Sequence, residues 1–392
     1  MNRRPRLTAV AAGLALVTVP VLAGCGTEST AQSGDASRSL TVSSTDDACD
    51  VSAAEAPAGT LTFQIANEGS STTEFYLLAE DGLRIVGEVE NIGTGATNTL
   101  TVNAEAGTYV VACKPGMTGD GIRSGFTVTE SDEAPEVSET DQQLVDRAVA
   151  NYGAYVDDQA GQLLEQTQEF VDLYTAGDDD AARALYPVAR THWERIETVA
   201  ESFGDLDPKM DLREADLEPG QEWTGWHKIE KDLWPDEAVD YTPLTDAERQ
   251  TYADDLMANT QELFDRVSAD DFTVELDQIA NGSRGLLEEV AVGKITGEEE
   301  IWSHTDLWDF QANVDGARVA FEGVQPIVED NDPELASELA TRFDDLQALL
   351  DAQRDGDGFV LYTELTDAEV KELSTAVNAL SEPLSRLTAA VV

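Results

Sequence analysis

A small N-terminal β-sandwich followed by an all-α helical bundle is the architecture that this 392-residue sequence predicts, and three observations carry it. Apolar and polar residues alternate between positions 40 and 130, as in strands with one buried face. Beyond position 141 the apolar spacing changes to three and four, the period of helices with one apolar stripe. Between the two regimes lies SDEAPEVSET (131–140), polar and Pro-containing, which reads as a linker.

Taken in chain order, residues 1–25 read as a secretory signal. Arg3, Arg4 and Arg6 precede an uncharged stretch from Leu7 to Ala23 that is too short to persist as a spanning helix. It ends Leu22-Ala23-Gly24-Cys25, which resembles the bacterial lipobox, so Cys25 is the expected site of lipidation. Residues 26–39 are rich in Ser, Ala and Gly and read as a flexible tether. The expected location is therefore extracytoplasmic, lipid-anchored to the outer face of the cytoplasmic membrane, with the lipid as the only membrane contact. Cys49 and Cys113 then remain in an oxidising compartment, where a disulfide is the default state.

Residues 40–130 supply strand-like runs at Leu40–Val42, Leu61–Ile65, Phe75–Leu77, Leu100–Val102, Tyr109–Val111 and Phe126–Val128, with turn signals such as Asp81-Gly82 and Ala106-Gly107 between them. About seven short strands in one stretch predict a sandwich. From 141 to 392 the helical period runs through Leu144, Val145, Ala148, Val149, Tyr152, Tyr155 and Val156 and on to Tyr174. Further helices are expected near 179–203, 246–267, 273–293, 303–328, 333–353 and 367–389, with Thr245, Ser303 and Thr366 as caps. A bundle of long helices follows.

Charge narrows the function. Lys and Arg total 24 against 78 Asp and Glu, a formal net charge of −54. Such a chain cannot neutralise a phosphate backbone by counterion release, so nucleic acid is excluded as a partner. Hydrophobic residues make up 41%, enough for a folded core, so the acidity belongs to surfaces and sites. Cations are the partners to expect, although much of the acidity serves as a solvated shell.

The three histidines, His192, His227 and His304, all fall in the helical region. His227 sits in Gly225-Trp226-His227-Lys228-Ile229-Glu230, where positions i and i+3 share a helix face and an imidazole and a carboxylate converge on one metal. The competing reading is a His hydrogen-bonded within its own helix. Glu194, Glu197 and Glu201 form an acidic stripe followed by Asp205, Asp207 and Asp211; the alternative is a solvated face paired with Arg190 or Arg195. Glu288 and Glu289 lie between apolar residues, so one of the two is expected to point inward. Ser303 to Asp306 has the form of a capping box. No HExxH occurs, Lys231 stands where HxxEH requires His, and GxSxG and Walker A motifs are absent.

Three segments, HWERIETVAESFGDLD (192–207), TGWHKIEKDLW (224–234) and GLLEEVAVGKITGEEEIWSHTDLWDFQANVDGA (285–317), resemble the imelysin-like, HxxE-bearing domain of the EfeO family of iron-uptake lipoproteins. The preceding β region resembles the cupredoxin-like domain of that family. The resemblance implies an iron-binding protein that hands iron to an EfeU-like membrane permease, beside an EfeB-like haem peroxidase. It implies metal ligation by His227 and Glu230, with Glu194, Glu197, Asp211 and Glu289 facing the same cleft. Blue copper is excluded because residues 40–130 contain no His. A looser copper or ferric site on Cys113, Met117 and Glu74 competes there with the Cys49–Cys113 disulfide. The enzyme alternative is an imelysin-type metallopeptidase, with zinc as its metal; a third is a metal-free scaffold for a haem-type peroxidase.

Overall fold

The computed structural model describes residues 38–131, 139–217, 219–269 and 271–392. The expected signal, Cys25 and nearly all of the tether and linker lie outside the described residues.

Nine strands build the first part: β1 (Ser39–Ser44), β2 (Cys49–Val51), β3 (Glu55–Pro57), β4 (Gly59–Asn67), β5 (Thr73–Leu78), β6 (Ile85–Ile92), β7 (Thr97–Ala104), β8 (Gly107–Cys113) and β9 (Ile122–Thr129). They form two sheets, ordered β2-β1-β4-β7 and β3-β9-β8-β5-β6. Pairing is antiparallel except β1 with β4 and β3 with β9. Leu61, Phe63 and Ile65 alternate inward along β4, and Phe63 meets Phe75 and Phe126 from the other sheet at ring-centroid distances of 5.3 and 5.6 Å. Cys49 and Cys113 are disulfide-bonded and join the two sheets across a separation of 64 residues. Closing a loop of that length restricts the unfolded chain by about 4 kcal/mol in the chain-entropy account. With Cys113 so engaged and Glu74 paired to Lys114 at 3.7 Å, the looser copper or ferric site is not assembled. Strand β6 escapes the alternation reading because Glu88 and Glu90 occupy its outer face; that face looks onto the helices and not onto water.

The helices are α1 (Glu139–Ala176), α2 (Asp179–Glu194), α3 (Glu197–Glu201), α4 (Asp207–Met210), α5 (Trp226–Leu233), α6 (Asp246–Val267), α7 (Leu276–Val292), α8 (Asp306–Asn331), α9 (Pro333–Asp351), α10 (Asp367–Leu384) and α11 (Leu387–Val391). Thr245 and Thr366 form capping boxes with Glu248 and Glu369. Ser303 does not: α8 starts after Thr305, and the Ser303 hydroxyl bonds Glu300 and Thr305 instead. The single helix expected over 179–203 is also broken. Ile196 leaves helical geometry at φ −127°, and α8 packs so closely there that a Cβ on Gly316 would lie 2.4 Å from the Arg195 carbonyl oxygen. Asn313 donates to the Glu194 carbonyl that the break frees.

Sandwich and bundle belong to one compact unit. Strand β7 ends its sheet, and an exposed edge invites pairing with other chains. Here α7 covers it. Asp277, Asn281 and Arg284, at helical spacings of four and three, meet the backbone of Asn103, Thr101 and Thr99 at 2.7, 3.0 and 3.1 Å. On the other sheet the Ile85 N–H donates to the Ser202 carbonyl at 2.9 Å. Gly204, at φ +75°, allows this approach, because a Cβ would come within 2.2 Å of the Leu83 carbonyl oxygen.

Burial pushes the Asp277 carboxyl up to about 6, against the lowering effect of the Asn103 N–H. A carboxyl raised on folding favours the folded state below its unfolded value and loses that contribution as pH climbs through the folded one. Asp277→Asn should therefore gain melting temperature relative to the parent as pH goes from 4 to 7, by an amount equivalent to about 1–3 kcal/mol. Melts showing a pH-independent difference would contradict this docking contact as the cause.

Candidate metal centre

The centre begins with a glycine. Gly225 adopts φ +85°, and a Cβ there would sit 2.1 Å from the Met210 carbonyl oxygen. The 209–211 segment can thus press against the start of α5, which carries Asp211 to His227. Along α5, Trp226, Ile229 and Leu233 pack into the core while His227 and Glu230, one turn apart, share the face that looks into the bundle.

His227 is 1% exposed. Its Nε2 lies 3.4 Å from Asp211 Oδ1 and 3.4 Å from Glu299 Oε1, and its Nδ1 lies 3.4 Å from Glu230 Oε2 and 3.8 Å from Glu300 Oε1. The imidazole is thus flanked by two triads whose ligand atoms fall within 4.8 Å of one another, Asp211–His227–Glu299 and His227–Glu230–Glu300. They are not equivalent. Glu230 Oε1 accepts the backbone N–H groups of Trp302 and Ser303 at 2.9 and 2.7 Å, leaving Oε2 to face His227 Nδ1. Glu300 accepts from Tyr186 and Ser303. His227 Nε2, by contrast, is buried without a hydrogen-bond partner of good geometry.

Two cations are built into this cage. Arg190 on α2, fully buried, contacts Glu194, Asp211, Glu300 (2.7 Å), Asp309 (3.4 Å) and Glu299 (3.7 Å). Lys294, also fully buried, meets Glu194 at 3.1 Å, Glu197 at 3.4 Å and Glu299 at 3.8 Å. Seven carboxyl groups thus surround three buried groups able to carry positive charge, with Arg213 reaching Glu299 from the edge at 3.5 Å as a fourth. The imbalance shows in their acidities. Burial and the Arg190 charge both work against the imidazolium of His227, yet Asp211, Glu230 and Glu299 push it up to about 10. Burial pushes Glu300 and Asp309 well above the carboxylate range, whereas Lys294 and His227 overcome burial and hold Glu299 well below it.

Of the residues singled out from sequence, His227, Glu230, Asp211 and Glu194 come together in the cage, and Glu197 joins its edge through Lys294 and Asn313. Arg195 pairs with Asp315. Glu289 is not a member. Leu286, Leu287 and Val290 claim the core-facing side of α7, which turns half-buried Glu289 toward the seam that Glu90 of β6 also lines. Glu288 pairs with Arg284. A cavity of about 580 Å³ opens at this seam between β6, α3 and α7; Glu88, Glu90, Glu201 and Glu289 line it and the His227 cage does not. Glu299, Glu300, Asp309 and Lys294 were not anticipated, and Arg190, expected only as the partner of a solvated acidic face, pairs with Glu194 inside the cage. The one signal for Glu299 and Glu300 is an acidic run directly against Ile301-Trp302, where a solvated face has no reason to carry a tryptophan.

Comparison with known proteins agrees with this architecture. Residues 148–387 match the imelysin family model and residues 15–128 match a cupredoxin-like domain model. The iron uptake system component EfeO of Yersinia pestis is 35% identical over 376 residues, covering 95% of each chain. The EfeO of Escherichia coli O157:H7 is 35% identical over 350 residues, 88% of this chain and 89% of that one. An Efem/EfeO family lipoprotein of Staphylococcus haemolyticus is 44% identical over 244 residues, 62% of this chain and 82% of that one. With a cupredoxin-like sandwich in front of a bundle that holds the HxxE pair inside a carboxylate cage, the chain belongs to the imelysin family and is an EfeO-type protein.

Proposed function

We propose that this protein takes part in iron uptake outside the cytoplasm, capturing iron in the His227 cage and passing it to a membrane permease, with a haem peroxidase as a further partner. The observation that carries the reading is the buried Nε2 of His227, set 3.4 Å from both Asp211 and Glu299 with no well-formed hydrogen bond to either. One imidazole among hard carboxylate oxygens is a donor set that suits iron ions. Glu230, fixed by two backbone N–H groups, would accept the Nδ1 proton and so present Nε2 to the metal, the usual division between a ligand and the group that orients it. The relatives with the names and coverage reported above support the iron-uptake role, and the relative named a lipoprotein supports anchoring through Cys25. Among the described residues no helix is long and apolar enough to cross a membrane.

Peptide hydrolysis is the less favoured reading. Every cage member is more than nine-tenths buried, so a peptide bond has no path to His227 without rearrangement, whereas a single ion needs much less. Casein hydrolysis by the purified, metal-loaded protein, abolished by His227→Ala, would reverse that preference.

Two measurements test the binding site itself. His227→Ala should weaken iron binding by about a hundredfold or more and Glu230→Ala by about tenfold, as loss of a ligand and of its orienting partner respectively. Calorimetry with ferrous and ferric iron giving the parent's affinity in His227→Ala would place the iron elsewhere.

The second follows from acidity. Because His227 is held protonated up to about 10, a metal that takes its Nε2 must expel a proton across the whole neutral range. Affinity should fall about tenfold for each unit of acidification between pH 8 and pH 6. The metal-free protein has the opposite dependence at this residue: its ion pairs are complete below the unfolded value and fade as pH rises through about 10. Titration in two buffers of different ionisation enthalpy reports the proton count; release of no proton per ion would exclude His227 as a ligand.

A further inference from the structure

Every carboxylate that faces His227 Nε2 is also a partner of Arg190. Asp211 and Glu299 each contact both, and Glu300 bridges Arg190 and the Nδ1 side of the ring. A metal ion and the guanidinium therefore compete for the same oxygens. We propose, on the reading that iron binds in this cage, that Arg190 is an internal counter-cation which holds the carboxylates when metal is absent and is displaced from Asp211 and Glu299 when a metal ion binds. It thereby sets the affinity and selects for ions of charge two or more.

Three observations support displacement over a permanent bridge. First, the cage carries more carboxylate than its built-in cations can balance, so exchanging one positive charge for two or three lowers its energy. Exchange for sodium or potassium brings no such gain, since one unit charge merely replaces another. Second, the guanidinium has somewhere to go. Glu194, one turn along α2, and Asp309 on α8 are partners that belong to neither metal triad. Asp309 Oδ1 is buried without a hydrogen-bond partner, and the existing Arg190 Nε to Asp309 Oδ2 contact is long at 3.4 Å, so a shift toward Asp309 shortens one bond and satisfies a second acceptor. The Tyr186 ring lies 5.9 Å from the guanidinium carbon, on the same helix, and offers its face to the relocated charge. Third, Lys294 keeps its contacts with Glu194 and Glu197 as well as its longer one with Glu299, so the cage does not lose its whole cationic complement in the exchange.

The test uses the full-length protein with manganese(II) and ferrous iron as probes. Arg190→Met removes the charge and keeps much of the length; it should bind either ion at least tenfold more tightly than the parent, while Arg190→Lys should stay within about threefold of it. Damage to the fold would move affinity the other way. Arg190→Met should also melt at higher temperature in potassium chloride than in choline chloride of equal ionic strength, because potassium can now occupy the vacated position, whereas the parent should not distinguish the two salts. Unchanged or weaker metal binding in a folded Arg190→Met protein overturns the proposal. Should that variant fail to fold, a crystal structure of the parent soaked in manganese(II) decides. Arg190 turned onto Glu194 and Asp309 supports displacement; an ion beside His227 with Arg190 still on Asp211 and Glu299 overturns it alone. An ion bound outside the cage overturns both this inference and the reading on which it rests.

Discussion

The bundle is organised around an interior excess of negative charge. Isolated carboxylates in a protein interior are too costly to persist, and they stay ionised only where cations and hydrogen-bond donors reach them. Here the donors come from four separate pieces of chain: Arg190 and the indole of Trp193 from α2, His227 from α5, Lys294 after α7, and the backbone N–H groups of Trp302 and Ser303 before α8. Segments distant in sequence are thereby tied to one electrostatic demand.

Close backbone approaches follow from it. Gly225 brings the Asp211 segment onto α5, and Gly316 brings α8 onto the break between α2 and α3. The break is itself part of the arrangement: a continuous helix would spread Glu194 and Glu197 along one stripe, whereas the interruption at Ile196 lets both reach Lys294 and Asn313.

The sandwich is attached by a different principle. Along α7, side chains at helical spacing meet alternate backbone groups of β7, so the exposed edge of one sheet is closed by polar contacts and not by a further strand. The other sheet presents Glu88 and Glu90 to Glu201 and Glu289 across the seam cavity. Acidic side chains thus line the seam between sandwich and bundle.

The architecture was legible in the chain because periodicity is a local property: alternation over residues 40–130 and three-and-four spacing beyond 141 each report one buried face, whatever that face packs against. The HxxE pair was legible for the same reason, since residues three apart on a helix must share a side. Strand β6 and the break at Ile196 were not, because each answers to a neighbour distant in sequence: β6 turns Glu88 and Glu90 toward the bundle, and Ile196 yields to α8. Nor could the sequence separate Glu288 and Glu289, whose apolar neighbours suggested that one of the two points inward, from Glu299 and Glu300, which face His227. Only the tertiary structure decided that, because whether a carboxylate joins the cage depends on which cation lies opposite it, and Arg190, Lys294 and His227 meet only after the chain has folded.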